Sequence, residues 1–136
     1  MSTRSNYNEM VIEKFRANGG KVDGPNQLIL LTTTGAKSGQ PRIAPVAYSK
    51  DGDHLIILAS KGGQPTNPDW YHNLVANPTV TVELGTEQFQ ARASVVEDEQ
   101  EYERLYAQHA TLMPGFAEYR QKTTRRIPVI VLERVS

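Results

Sequence analysis

From Gln27 onward the chain alternates short strand-like runs with turn residues, and this rhythm limits the fold more than any other feature. The runs are 27–34, 42–49, 54–60, 79–84, 89–96 and 127–134, rich in β-branched and apolar residues and separated by turn residues. Six strands within 136 residues leave room for one domain. Residues 1–136 therefore read as a single unit, with 1–26 as an N-terminal helix and lead-in. Lys50-Asp51-Gly52-Asp53 and Gly85-Thr86-Glu87 join neighbouring runs at hairpin distance, so antiparallel pairing is expected. Short antiparallel strands hide their edges by closing on themselves. The expected fold is α+β, a mainly antiparallel six-stranded barrel with flanking helices.

Three stretches have helical punctuation. Asn8 to Asn18 carries Met10, Val11 and Phe15 at helical spacing, and Gly19-Gly20 stops it. Asp69 to Ala76 lies between Asn67-Pro68, a side-chain cap followed by a first-turn proline, and Asn77-Pro78. Asp98 to Met113 places Tyr102, Leu105, Tyr106, His109, Leu112 and Met113 on one stripe, with acids in its first turn and Pro114-Gly115 closing it. The segment Tyr119 to Arg126 holds four cations and no acid, and reads as a solvated loop or helix end. A tyrosine there can instead close a pocket and donate a hydrogen bond.

Composition excludes several kinds of chemistry. Fifteen Lys plus Arg against fifteen Asp plus Glu give a net charge of 15 − 15 = 0, so no global field recruits nucleic acid or an anionic membrane. Any anion site must be local. With no cysteine there are no disulfides, thiolates or Cys-ligated metals. His54, His72 and His109 have no metal-ligand spacing, no metal site is expected, and His109 falls on the apolar stripe of its helix. No Ser-His-Asp set can be assembled. Met1 to Asn8 is polar with no apolar stretch behind it, and no apolar run approaches the ~18 residues of a spanning helix. A cytoplasmic location is the expectation.

Two glycine turns carry the candidate chemistry. Thr32-Thr33-Thr34-Gly35-Ala36-Lys37-Ser38-Gly39-Gln40-Pro41-Arg42 is a strand end running into a turn. It can aim backbone N–H groups, a hydroxyl and two cations at one phosphate or carboxylate. It is not a P-loop, because Ala36 precedes the lysine and a proline-containing strand follows. Ala59-Ser60-Lys61-Gly62-Gly63 repeats the ingredients at another strand end, and Trp70, Tyr71, His72 and Asn73 open the next helix. If both turns reach one rim, Lys37, Ser38, Arg42, Ser60 and Lys61 line a groove for a ligand with more than one anionic group. The competing account is a pair of ordinary hairpin turns with solvated cations, and a Trp70 that only anchors the core.

The ordered set of these motifs, with Asn67-Pro68-Asp69-Trp70-Tyr71-His72-Asn73-Leu74 and Ala76-Asn77-Pro78, resembles the deazaflavin-dependent nitroreductase family over about Leu28 to Leu132. The resemblance implies a split β-barrel of the FMN-binding type. It also implies a reductase that passes a hydride from reduced coenzyme F420, a deazaflavin with a phosphate and an oligoglutamate tail, to a small electron-poor acceptor such as a quinone, activated alkene or nitroaromatic. By the same resemblance Lys37, Ser38 and Gly39 form the cofactor-phosphate turn, with Arg42 and Pro45 as neighbouring strand contacts. Ser60, Lys61, Gly62 and Gly63 hold the deazaflavin region, Trp70 and Asn73 flank it, and Tyr119 faces the substrate. Ala36 stands where relatives often have a basic residue. The short N-terminus leaves peripheral membrane contact open, and oligomeric state is unspecified. Two alternatives share the barrel: a non-catalytic F420 carrier, and an FMN- or haem-binding protein. Hydride chemistry would belong to the cofactor, with the protein supplying orientation and electrostatics.

Overall fold

The computed structural model describes residues 3–21 and 27–135. Its strands are β1 (Leu28–Thr34), β2 (Pro41–Ala47), β3 (Ser49–Asp51), β4 (His54–Leu58), β5 (Thr79–Leu84), β6 (Glu87–Val95) and β7 (Val129–Arg134). They form one antiparallel sheet in the order β2-β1-β5-β6-β7-β4-β3. β2 and β3 lie at opposite ends of that order, yet only Tyr48 separates them along the chain. A sheet whose two edges are consecutive in sequence has to curl until those edges approach each other. The barrel thus closes through one bent strand, 41–51.

All six sequence runs are present, and the count rises to seven because the run 42–49 breaks at Tyr48. There the backbone N–H donates to Gln27 O at 3.0 Å, the last bond in register with β1 before the chain turns to the other end of the strand order, and the residue is buried in the barrel core. Period-two alternation builds that core. In β6, Phe89, Ala91 and Ala93 are buried while Gln88, Gln90 and Arg92 are exposed. Ile29, Leu31, Val46, Leu55, Ile57, Val82 and Ile130 meet them inside the barrel. Each large side chain buried in this way contributes roughly 1.5–3 kcal/mol.

The helices are α1 (Thr3–Ala17), α2 (Asp69–Ala76), α3 (Glu99–Leu112) and α4 (Gly115–Lys122). α1 begins earlier than expected, while the lead-in at 22–26 lies outside the described residues. Arg16 holds α1 to the sheet through Glu83 at 2.9 Å. α3 fits its sequence signals except at Leu112, which is exposed instead of lying on the buried stripe, and Asp98 is the cap, accepting from the Glu101 N–H at 2.9 Å. Its apolar stripe and α4 cover the outer face of the sheet, where Ile56, Leu58 and Val129 pack on Tyr102, Leu105, Tyr106 and Phe116.

One expectation needs correction, and one helix was not foreseen. Asn67 does not cap α2: Pro68 takes the cap position with no side-chain bond, and the Asn67 amide is used elsewhere. Pro114-Gly115 ends α3 as expected, but a further helix that was not anticipated follows it. Gly115 opens α4, because the Tyr106 phenol donates to Phe116 O at 2.7 Å and ties the next turn back to α3.

Candidate functional site

Strand register brings the two glycine turns to one rim. Thr34 pairs with Pro41, Thr32 with Thr81, and Leu58 with Val129. β1 and β4 therefore end where β2, β5 and β7 begin. The 35–40 turn and the 59–68 segment both leave the barrel there, and α2 leads from the second back to β5.

In the first turn, the Gly35 N–H donates to Gln40 O at 2.8 Å and the Gly39 N–H to Gly35 O at 2.9 Å. Gly39 sits at φ +70°, where a side chain would be strained. The Ser38 hydroxyl oxygen accepts from the Gln40 N–H at 3.2 Å, so it braces the turn from within. Asn73, buried on α2, fixes the turn to the helix. Its Nδ2 donates to Thr33 Oγ1 at 3.1 Å and its Oδ1 accepts from the Ala36 N–H at 2.9 Å. Arg42 lies directly opposite Thr33, on the sheet face that Asn73 meets. Lys37 and Arg42 are exposed, and neither has a carboxylate partner among the described residues.

The second turn is more strained. Ser60 is right-handed at φ −79°, ψ −36°, and Lys61, Gly62 and Gly63 follow at φ +48°, +64° and +81°. A right-handed residue followed by left-handed ones makes successive N–H groups converge into a concavity that takes anions. A non-glycine residue held in this region costs of order 1–3 kcal/mol and persists only where its surroundings impose it. Lys61 itself donates from Nζ to Thr66 Oγ1 at 3.2 Å. Gly63 sits so close to α4 that an added Cβ would lie 3.0 Å from both Tyr119 O and Lys122 Cβ.

Arg125 completes this half of the site, and the sequence reading missed it. Its Nε donates to Gln64 O at 2.9 Å and its Nη1 to Asn67 Oδ1 at 2.7 Å. Nη2 reaches Ala59 O at 3.2 Å and Ser60 O at 2.8 Å. Partial burial holds its pKa below the usual arginine value. The remainder of the basic run is exposed, as expected of a solvated helix end, but two of its cations are also paired. Arg120 pairs with Glu103 and stacks 4.6 Å from the Tyr106 ring centroid. Arg126 pairs with Glu99 at 2.9 Å and lies 3.7 Å over Tyr102.

Other predicted residues take mixed positions. Trp70, in the first turn of α2, is half-buried and packs against the barrel core. Tyr119 contributes its backbone to the seat of Gly63. Its half-buried ring turns back along α4, edge-on to Phe116 at 5.3 Å, with the hydroxyl near Gly115. That phenol has no hydrogen-bond partner among the described residues. Pro45 lies apart from the rim, opposite Leu30 on the face away from the barrel core. His109 is the packed histidine expected from its stripe: fully buried, with Nδ1 2.7 Å from Ser49 Oγ. Among the described residues no group of acids and histidines is placed to hold a metal, and no helix is long and apolar enough to cross a membrane.

Comparison with known proteins gives the family and the fold. Residues 6–134 match the family model described as F420H(2)-dependent quinone reductase. An F420H(2)-dependent quinone reductase of Mycobacterium tuberculosis is 42% identical over 118 residues, covering 85% of this chain and 79% of that protein. A solved F420-H2 dependent reductase superposes with a TM-score of 0.71 at 40% identity, over 82% of this chain and 96% of that one. The haem storage protein HutZ of Vibrio cholerae shares the fold alone, at 18% identity and a TM-score of 0.62 over 94% of this chain and 90% of its own. The chain is a split β-barrel protein and belongs to the F420H2-dependent quinone reductase family.

Proposed function

We propose that this protein transfers a hydride from reduced coenzyme F420 to a quinone, with activated alkenes and nitroaromatics as further electron-poor acceptors. One observation carries the proposal. Lys37, Arg42, Lys61 and Arg125 come to one rim without a carboxylate partner among the described residues, beside a backbone concavity at Ser60–Gly62. Cations left unpaired at a rim suit a long polyanion, and the phosphate and oligoglutamate tail of F420 are one. The residues present fit that group. Lys37 and Arg42 would meet phosphate or tail carboxylates, the Ser60–Gly63 turn the polar edge of the deazaflavin, and Trp70 its flank.

Bound F420H2 supplies the hydride. The protein's part is to hold the donor against the acceptor, exclude water from between them, and meet the charge that develops on the acceptor oxygen. Tyr119 is the candidate for that last task, since its phenol is uncommitted and a phenol within reach can stabilise an oxyanion or give a proton. A carrier would need only the two anion turns.

Equilibrium titration decides the cofactor: F420 is expected to bind more tightly than FMN or haem, and equal or tighter FMN binding would overturn the proposal. Tyr119→Phe then separates reductase chemistry from loop packing. A fall in turnover of roughly tenfold, about 1.4 kcal/mol in barrier, at unchanged cofactor affinity is expected. Turnover within twofold of wild type on quinone, alkene and nitroaromatic acceptors removes Tyr119 from the chemistry.

A further inference from the structure

We propose that Arg125 is a positioning residue: its guanidinium, more than the turn's own sequence, sets the shape in which the Ser60–Gly63 backbone presents its amides to an anionic group of the cofactor. The inference rests on reading this rim as the F420 site, and it concerns a residue that touches the turn from behind.

The four acceptors of Arg125 belong to Ala59, Ser60, Gln64 and Asn67, so they flank the strained residues on both sides. A planar fork with five N–H donors can fix two chain segments relative to each other, whereas a lysine ammonium is a single point of charge. The peptide geometry gives this clamp a direction. In a trans peptide the carbonyl of one residue and the N–H of the next point opposite ways, and there is no cis peptide bond here. Drawing the Ala59 and Ser60 carbonyls onto the guanidinium therefore turns the Ser60 and Lys61 N–H groups to the opposite side. Ser60 O also accepts from the Gly63 N–H at 2.9 Å, which tightens the turn around the same carbonyl.

Two more features fit a positioning role. None of the Arg125 acceptors is a carboxylate, so its charge adds to the positive field of the rim instead of cancelling locally. Gly63 is seated on the backbone of Tyr119, so the segment 115–125 grips the turn from two directions. Lys61 at φ +48° then has an external cause for its strain.

The test uses the full chain and the variant Arg125→Lys, which keeps the charge and loses the fork. In cofactor-free protein, amide hydrogen exchange is expected to quicken at least tenfold over 60–64 while the sheet is unchanged. With cofactor, F420 dissociation and the KM for F420H2 are expected to rise together by at least tenfold, with kcat at saturation within about threefold. A purely structural role would instead quicken exchange throughout the sheet and lower kcat with the folded fraction, leaving KM in place. Asn67→Ala removes a single acceptor and should move the same readouts less far, which keeps the inference testable if Arg125→Lys fails to fold. Exchange and F420 affinity within twofold of wild type in the folded variants would overturn it. Wild-type protein that binds no F420 would overturn the functional proposal and this cofactor role together. Wild type that binds while Arg125→Lys binds equally well overturns this inference alone.

Discussion

Arg125 and Arg126 are neighbours in sequence and opposites in use. Arg126 looks outward to the α3–α4 flank, where Arg104, Arg120 and Arg126 all meet acids and two of them also lie over tyrosine rings. Arg125 looks toward the rim, where Lys37, Arg42 and Lys61 also have no carboxylate partner among the described residues. A chain with zero net charge has thus placed some of its cations on a flank where they meet acids and others at a rim where they do not. Overall charge is silent about this division, since it depends only on which acids lie within reach. The contrast also separates two kinds of energy. Exposed ion pairs on the flank are worth about 0–1 kcal/mol each, whereas cations at an anion site act through a ligand.

The largest expected effect is one of pH, and it acts on the flank. His109 is fully buried, bonded to Ser49 of β3 and edge-on to Phe116 of α4 at 4.5 Å. No charged side chain faces it among these contacts, and burial pushes its pKa down to about 4 from 6.5. The neutral form is thus favoured by folding. This contribution is complete above pH 6.5, is lost as pH falls toward 4, and changes no further below, for a total of about 3 kcal/mol. Denaturant midpoints measured across that window should fall in wild type and stay flatter in His109→Gln. Equal slopes would mean that the flank is not the acid-labile half.

Next in size is the comparison between cations at the two ends of the barrel. Lys37→Ala should weaken F420 binding by about 1.5–3 kcal/mol, the scale of a charge-assisted hydrogen bond. Lys50→Ala, in the hairpin at the far rim, should leave binding unchanged. Added salt should weaken wild-type binding and narrow the gap between the variants. Identical titrations for the two would erase the distinction between rim and remaining surface. The smallest effect is expected for Arg126→Ala. It loses an exposed pair and a cation–π contact, so thermal melts should report about 1 kcal/mol or less, with F420 affinity unmoved. A loss of affinity there would show that the flank takes part in binding.

What could be read from the sequence follows from the range of each interaction. The strand runs, the hairpin turns, α2 and the Asp98 cap depend on residues a few positions apart, and each leaves a local pattern. Both glycine turns were visible for the same reason. Arg125 was not, because three of its four acceptors are backbone carbonyls, which any residue supplies, and all lie 58 to 66 positions away. α4 was hidden by Pro114-Gly115, a pair that signals a stop and here stops one helix only to start another. The break at Tyr48 has no punctuation at all, since it is imposed by the closure of the sheet.

That break has a consequence for how the protein keeps to itself. The half of the bent strand nearest the rim, Pro41 to Ile43, is exposed and lies at one end of the strand order, where another polypeptide could add a strand. Pro41 and Pro45 are four residues apart, so both turn their nitrogens to the same side. A proline fits a paired strand only where that side faces away from the partner. The outward border of β2 therefore lacks an N–H at both positions, and an incoming strand would find too few donors to continue the ladder. Pro45, away from the rim, then needs no ligand to account for it. The two prolines let the barrel stay open to a small molecule at this end without inviting fibrous growth from it.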